Sequence, residues 1–98
     1  MHTEQLIPVN VFCNSHQIEL SFIQTLHQSG LIEVTVTGEQ SYIPIEQLER
    51  LEKMVRLYYE MDINVEGIET ITHLLQQIQQ LQKQLRQAYN RLASYESR

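Results

Sequence analysis

The segment from Asn64 to Glu96 decides the fold, and its sequence is NVEGIETITHLLQQIQQLQKQLRQAYNRLASYE. Apolar residues recur in it at alternating intervals of three and four, which is the pattern of a heptad seam: Ile71, Leu74, Ile78, Leu81, Leu85, Ala88, Leu92 and Tyr95. The segment has no proline, and its one glycine, Gly67, falls in the first turn. We therefore predict one helix of about 33 residues, roughly 50 Å long, which is longer than a small domain is wide.

A projecting apolar seam needs a covering surface, because apolar side chains gain free energy on leaving water. We predict that residues 62–98 form a coiled-coil dimerisation helix whose interface is the heptad seam. The alternative is that the helix folds back over its own N-terminal body. Leu75 lies beside the seam, where it could pack on that body and widen the apolar stripe near the start of the helix.

The charges along this helix favour an antiparallel homodimer. Three acids occupy its start and the preceding break: Asp62, Glu66 and Glu69. Between Thr70 and Tyr95 there are three bases and no acid: Lys83, Arg86 and Arg91. An antiparallel pair centred near Gln80 places Arg91 opposite Glu69 and brings Arg98 towards Asp62 of the other chain. Each exposed contact contributes at most about 1 kcal/mol, so the preference depends on several together.

Length and composition allow one domain with an arm. The 98 residues are 42% hydrophobic and 19% charged, as in ordinary globular proteins. No apolar run reaches membrane-spanning length, and the N-terminus lacks the order of a signal peptide, so no membrane association is predicted. The single cysteine, Cys13, cannot form an internal disulfide, and a cytoplasmic location is expected.

The acidic residues are divided equally between the two halves of the chain, but the bases all lie in the second half. Residues 1–49 contain six acids and no lysine or arginine, whereas residues 50–98 contain seven bases and six acids. The two halves thus carry −6 and +1, and an acidic body attracts basic partners and repels phosphate backbones. We assign partner binding to five of these acids: Glu19, Glu33, Glu39, Glu46 and Glu49. Any one exposed glutamate can serve solubility alone, so the assignment depends on the lack of compensating bases.

Residues 1–61 have the pattern of a winged helix-turn-helix body with a linking helix. A first helix is predicted over residues 7–15, with Val9, Phe12 and Cys13 inward. A turn through Gln17 separates it from a second helix over residues 19–28, which Gly30 ends.

A small β-hairpin follows the two helices. Ile32, Val34 and Val36 alternate with polar residues and predict a half-buried strand, and residues 41–43 return after a turn. The linking helix is predicted from Ile45 to Met61, opened by Pro44, and the side chain of Asn64 can cap the long helix. The fold class is therefore mostly α with a small β-hairpin.

This order of elements resembles the MerR-like superfamily, and within it the chaperone modulators of the CbpM type. Four stretches carry the resemblance: Val11-Phe12-Cys13, Gly30-Leu31-Ile32-Glu33, Tyr42-Ile43, and RLYYEMDINVEGI at residues 56–68. The glycine in the last stretch is more similar to the modulator branch than to the DNA-binding branch. The resemblance covers nearly the whole chain and implies a MerR-like winged helix-turn-helix followed by a long coiled-coil helix.

The resemblance has different implications for DNA and for protein partners. DNA-binding members are expected to hold phosphates with an arginine in the second helix and another in the wing, where this chain has Gln24 and Gln40. Specific DNA binding is therefore not expected, because phosphate neutralisation supplies much of the affinity. The modulator branch implies a protein that binds the J-domain of a DnaJ-like co-chaperone and inhibits it. The alternative function is a MerR-family transcriptional regulator that binds DNA through bases beyond residue 49.

Other motifs have simpler interpretations. Cys13 and His16 could form half of a zinc site, but no second cysteine exists, and His2, His27 and His73 lack ligand spacing. We predict no metal, no cofactor and no catalytic residues, since the chain has no phosphate loop and no visible pair of nucleophile and base. Tyrosines at helical spacing are interpreted as packing residues: Tyr58, Tyr59, Tyr89 and Tyr95.

Overall fold

The computed structural model describes residues 5–96, so residues 1–4, Ser97 and Arg98, and with them the predicted Arg98–Asp62 contact, lie outside it. Four α-helices and three short strands follow one another in these residues. By its internal contacts the chain divides into two compact units between Ile68 and Glu69. The predicted class, a winged helix-turn-helix followed by a long helix, is confirmed. The predicted boundary between the body, residues 1–61, and the dimerisation helix, residues 62–98, stays a prediction.

Helices α1 (Val9–His16) and α2 (Leu20–Gln28) form the helix-turn-helix, and both end in the same way. After α2, the Gly30 N–H donates to His27 O and the Leu31 N–H donates to Leu26 O, each at 3.0 Å. This is a Schellman motif, which needs a left-handed residue, and Gly30 has φ +77°. Gln17 takes the same role after α1 with φ +54°. The predicted turn and the predicted glycine stop are therefore confirmed.

The N-terminal stretch departs from the sequence prediction. The first helix was predicted from residue 7, but Leu6–Pro8 forms strand β1, paired antiparallel with β3 (Gln40–Pro44). Ile7 lies opposite Ile43 and Pro8 opposite Tyr42. Pro8 is extended (φ −58°, ψ 136°). Proline has no N–H to donate to a neighbouring strand, and it is tolerated here because β1 lies at the edge of the sheet. The hairpin is thus part of a three-stranded sheet of order β1-β3-β2, in which β2 is Thr35–Thr37.

The first strand of the hairpin is shorter than predicted. Strand β2 covers only Thr35–Thr37, and it pairs with β3 around a turn in which Gly38 has φ +64°. Ile32 is buried, but Val36 is 65% exposed, so the predicted inward face does not continue along the strand. A strand at the edge of such a small sheet has too little covering structure to bury every alternate residue.

The linking helix also begins later than predicted. Residues Ile45–Gln47 form a 3-10 turn, and helix α3 covers Leu48–Tyr59 rather than residues 45–61. Ile45, in this turn, is 42% exposed, whereas Met54 on α3 is 2% exposed. The 3-10 turn changes the angular position of residues before Leu48, which moves Ile45 off the buried face.

One hydrophobic core joins the three-stranded sheet to the helices of the first unit. The inward residues predicted for the first helix, Val9, Phe12 and Cys13, are buried, as are Ile43 and Leu51 at 0% exposure. Ile68, near the start of helix α4 (Val65–Glu96), is also 0% exposed. Among residues 5–96, no buried side-chain nitrogen or oxygen lacks a hydrogen-bond partner.

Helix α4 begins at the predicted cap. The Gly67 N–H donates to Asn64 Oδ1 at 2.8 Å, and the Ile68 N–H donates to Asn64 O at 2.9 Å. Ile63 and Ile68 occupy the two positions of a hydrophobic staple on either side of this cap. Beyond Ile68 the heptad seam is uncovered in the single chain: Leu74, Ile78, Leu81, Leu85, Leu92 and Tyr95 are 49–76% exposed, and Ile71 is half-buried.

Replacement of the cap tests its contribution. Asn64→Ala is expected to lower the free energy of unfolding by about 1 kcal/mol, within a range of about 0.5–2, because the Gly67 N–H loses its acceptor. Asn64→Asp is the matched control, since its carboxylate keeps the acceptor and favours the helix N-terminus. Denaturant unfolding at fixed protein concentration measures both variants. Equal loss in the two variants would show that the lost stability does not come from the acceptor of the cap.

Candidate functional site

The five acids assigned to partner binding are all exposed, but they lie on different elements. Glu19 is the residue before α2, and Glu39 lies in the hairpin turn. Glu33 precedes β2, Glu46 lies in the 3-10 turn and Glu49 in the first turn of α3. The five acids are therefore contributed by several elements of the first unit and not by one helix or strand.

A buried glutamine brings part of this set together. Gln47, 7% exposed, accepts from the Glu33 N–H at 2.8 Å and donates to Glu33 O at 2.9 Å. These two bonds hold the segment of Glu33 against the turn that contains Glu46. Arg50 also donates to Gln47 Oε1 at 3.0 Å. A base from beyond residue 49 thus lies beside this part of the acidic set, which the count over residues 1–49 did not show.

The first unit remains strongly acidic when its bases beyond residue 49 are counted. Residues 5–68 contain nine acids and three bases, Arg50, Lys53 and Arg56, for a net charge of −6. Residues 69–96 contain two acids and three bases, for a net charge of +1. The field of the globular unit therefore attracts cations, as the sequence predicted.

An aromatic cluster lies where α2 meets the end of α3. The ring centroid of Phe22 is 4.4 Å from that of Tyr58 and 5.5 Å from that of Tyr59. The two tyrosine rings lie 5.0 Å apart at an angle of 70°. Tyr59 Oη accepts from the Glu19 N–H at 3.1 Å, which fixes its ring against the start of α2. Tyr58 and Tyr59 therefore pack as predicted, yet they remain 37% and 41% exposed, whereas Tyr89 and Tyr95 are exposed on α4 in the single chain.

Three shallow depressions of about 350–420 Å³ adjoin this tyrosine pair. Tyr59 lines all three, and the acids that line them are Glu19, Glu52, Glu60 and Asp62. We define the tyrosine face as Tyr58, Tyr59, Glu19, Glu60 and Asp62. The sequence patterns did not predict this surface, although the Tyr58-Tyr59 doublet gives one signal of it. Adjacent residues on a helix point about 100° apart, so both tyrosines of the doublet could not be fully buried.

The helix and the wing present amides at the two positions where the resemblance implies phosphate-binding arginines in DNA-binding proteins. Gln24 is exposed on α2, and Gln40 is exposed at the start of β3. An amide donates hydrogen bonds but carries no charge to neutralise a phosphate.

The residues considered for a metal site have local partners. His16 Nδ1 lies 3.2 Å from Phe12 O, and Nε2 lies 3.3 Å from Glu52 Oε2. Cys13 is buried in the core, and burial raises the pKa of its thiol. In residues 5–96 no group of three or more His, Cys, Asp or Glu side chains is placed to hold a metal, and His2 lies outside them. No helix in the same residues is long and apolar enough to cross a bilayer.

Comparison with known proteins gives one match. A family model described as MerR HTH family regulatory protein matches residues 7–90, which covers both helices of the helix-turn-helix, the sheet, α3 and most of α4. No curated protein and no solved structure matches the chain.

Proposed function

This chain belongs to the family of MerR helix-turn-helix regulatory proteins, and we propose that it is a chaperone modulator within that family. It binds the J-domain of a DnaJ-like co-chaperone through protein–protein contact and inhibits it. The observation that carries the proposal is the net charge of −6 on the first unit, with all five assigned acids exposed. J-domains generally carry a basic helix, which this surface complements.

The charge of the helix-turn-helix supports protein contact more than DNA contact. Gln24 and Gln40 leave the two phosphate positions uncharged, and the three bases of the first unit lie on α3. Duplex DNA is densely anionic, so it would be repelled by a surface with three times as many acids as bases. A basic helix would instead be steered towards the same surface.

Electrostatic steering gives a prediction for the assigned acids. Replacing Glu19, Glu33 and Glu39 together by glutamine is expected to slow association with a cognate J-domain by about three- to ten-fold at low salt. The difference should shrink as salt rises, because screening shortens the range of the field. Stopped-flow or surface-binding kinetics at several salt concentrations measure it.

The control removes charge from the second unit instead. Glu69→Gln with Glu96→Gln should leave the association rate near that of the wild type, since the assigned acids remain. No binding to a cognate J-domain would contradict the proposed function. Nanomolar, sequence-dependent binding to duplex DNA at about 150 mM salt would favour the transcriptional regulator instead.

We also propose that α4 covers its seam with a second copy of the same helix. Seven of the eight seam residues are exposed in the single chain, and apolar rows of that length are rarely left in water. The bases at positions 83, 86 and 91 and the acids at positions 66 and 69 support an antiparallel pair.

A further inference from the structure

We propose that the tyrosine face is a binding site for one basic side chain, arginine or lysine, presented by a partner protein. This inference goes beyond the proposed function, because it specifies the chemistry of one site and does not require the partner to be a J-domain. Of the five acids that the sequence suggested, Glu19 alone lines the depressions beside this face.

The two tyrosine rings form a corner suited to a cation. They meet at 70° with centroids 5.0 Å apart, and each is more than one third exposed. The π face of a tyrosine attracts a guanidinium or ammonium group within about 6 Å of the ring centroid, and two rings at an angle act on it together. Phe22 packs against both rings from the core side. Partner side chains can thus approach only from the outer side.

The corner is already held in place before a partner binds. The Glu19 N–H donates to Tyr59 Oη, and the Ile63 N–H donates to Leu57 O at 3.0 Å across the break after α3. Both tyrosines lie in the last turn of α3, whose Glu60 N–H bonds back to Arg56 O at 2.9 Å. A preformed site avoids the entropy of ordering its side chains on binding.

Carboxylates surround this aromatic corner. Glu19 lines one depression together with both rings, and Asp62 lines another together with both rings. Within the described residues, Arg56 is the one lysine or arginine that lines any of the three depressions, and it lies 3.9 Å from the Glu60 carboxylate. The surface therefore combines aromatic faces with an excess of negative charge, which selects cations over neutral or anionic groups.

A pair of matched peptides tests the proposal on the full chain. One is a short alanine-rich helical peptide carrying arginine, and the other carries citrulline, which keeps the shape of arginine but has no charge. With isotope-labelled tyrosine, the arginine peptide is expected to shift the ring resonances of Tyr58 and Tyr59. Tyr42, Tyr89 and Tyr95 should not move, and the citrulline peptide should shift none of them.

Two sets of variants locate the binding. Tyr58→Leu should weaken binding of the arginine peptide about two- to five-fold, whereas Tyr58→Phe, which keeps the ring, should bind like the wild type. Glu19→Gln with Asp62→Asn should weaken it further than Glu33→Gln with Glu39→Gln, although both pairs remove the same charge. Asn tolerates the left-handed backbone of Asp62 (φ +56°), so this pair should keep the fold.

The opposite results would overturn the proposal. Equal shifts with the citrulline peptide would show that the cation is not recognised, and equal weakening by the two acid pairs would show a general effect of charge. Shifts confined to Tyr89 and Tyr95 would place binding on α4. None of these outcomes depends on a J-domain, so failure of the proposed function and failure of this site are distinguishable.

Discussion

Replacement of Leu81 and Leu85 together by glutamate is expected to convert the proposed dimer to a monomer. Both side chains lie in the middle of the seam, and they are 63% and 59% exposed in the single chain. A dimer would bury four of them, each contributing about 1.5–3 kcal/mol, and glutamate would replace this gain with buried charge. The expected loss of at least about 6 kcal/mol corresponds to more than about a 10⁴-fold weaker association.

Analytical ultracentrifugation measures this effect directly. The wild type should sediment with twice the mass of the 11.6 kDa chain, and the double variant with the mass of one chain. Gln80→Glu with Gln87→Glu adds the same charge at outer heptad positions and should remain a dimer. A monomeric wild type would contradict the proposal and favour a helix whose seam has another partner.

Orientation of the same dimer can be read from cross-linking. With Ala88→Cys in a Cys13→Ser background, the two thiols of an antiparallel pair would lie roughly 24 Å apart and should not form a disulfide. In a parallel pair they would face each other. Efficient cross-linking under mild oxidation would therefore show that the pair is parallel.

The second large effect is expected in the sheet. Ile43→Ala should lower the free energy of unfolding by about 2–5 kcal/mol, because Ile43 is 0% exposed on the central strand and its truncation leaves a cavity. Val36→Ala on the neighbouring strand should cost less than about 1 kcal/mol, since Val36 is 65% exposed. Denaturant unfolding at equal protein concentrations compares the two. Similar losses would contradict the burial seen in the structure.

Much of the fold was predictable because its determinants are local. The cap of Asn64 acts on residues three and four positions later, and the stop at Gly30 involves residues within one turn of helix. The inward residues of the first helix follow the helical period and are buried. The strand Leu6–Pro8 could not be predicted in the same way, because it forms only by pairing with residues more than thirty positions later.

The candidate site was only partly predictable. Sequence alone supplied the acidic character of the first unit, because charge is counted without knowledge of geometry. It did not show that Gln47 is buried, since that burial depends on bonds to Glu33, fourteen residues away. The pairing of Tyr59 with Glu19 spans forty residues, and only the packing of α2 against α3 brings the two together.

The sequence by itself determined the helix-turn-helix, the long capped helix and the heptad seam, because each follows from side chains within a few positions of one another. Tertiary structure alone decided the third strand, the exposure of Val36 and Ile45, and the corner formed by Tyr58 and Tyr59 beside carboxylates. These features arise where distant segments compete for one small core, and which side chains that core covers depends on contacts that no local pattern encodes.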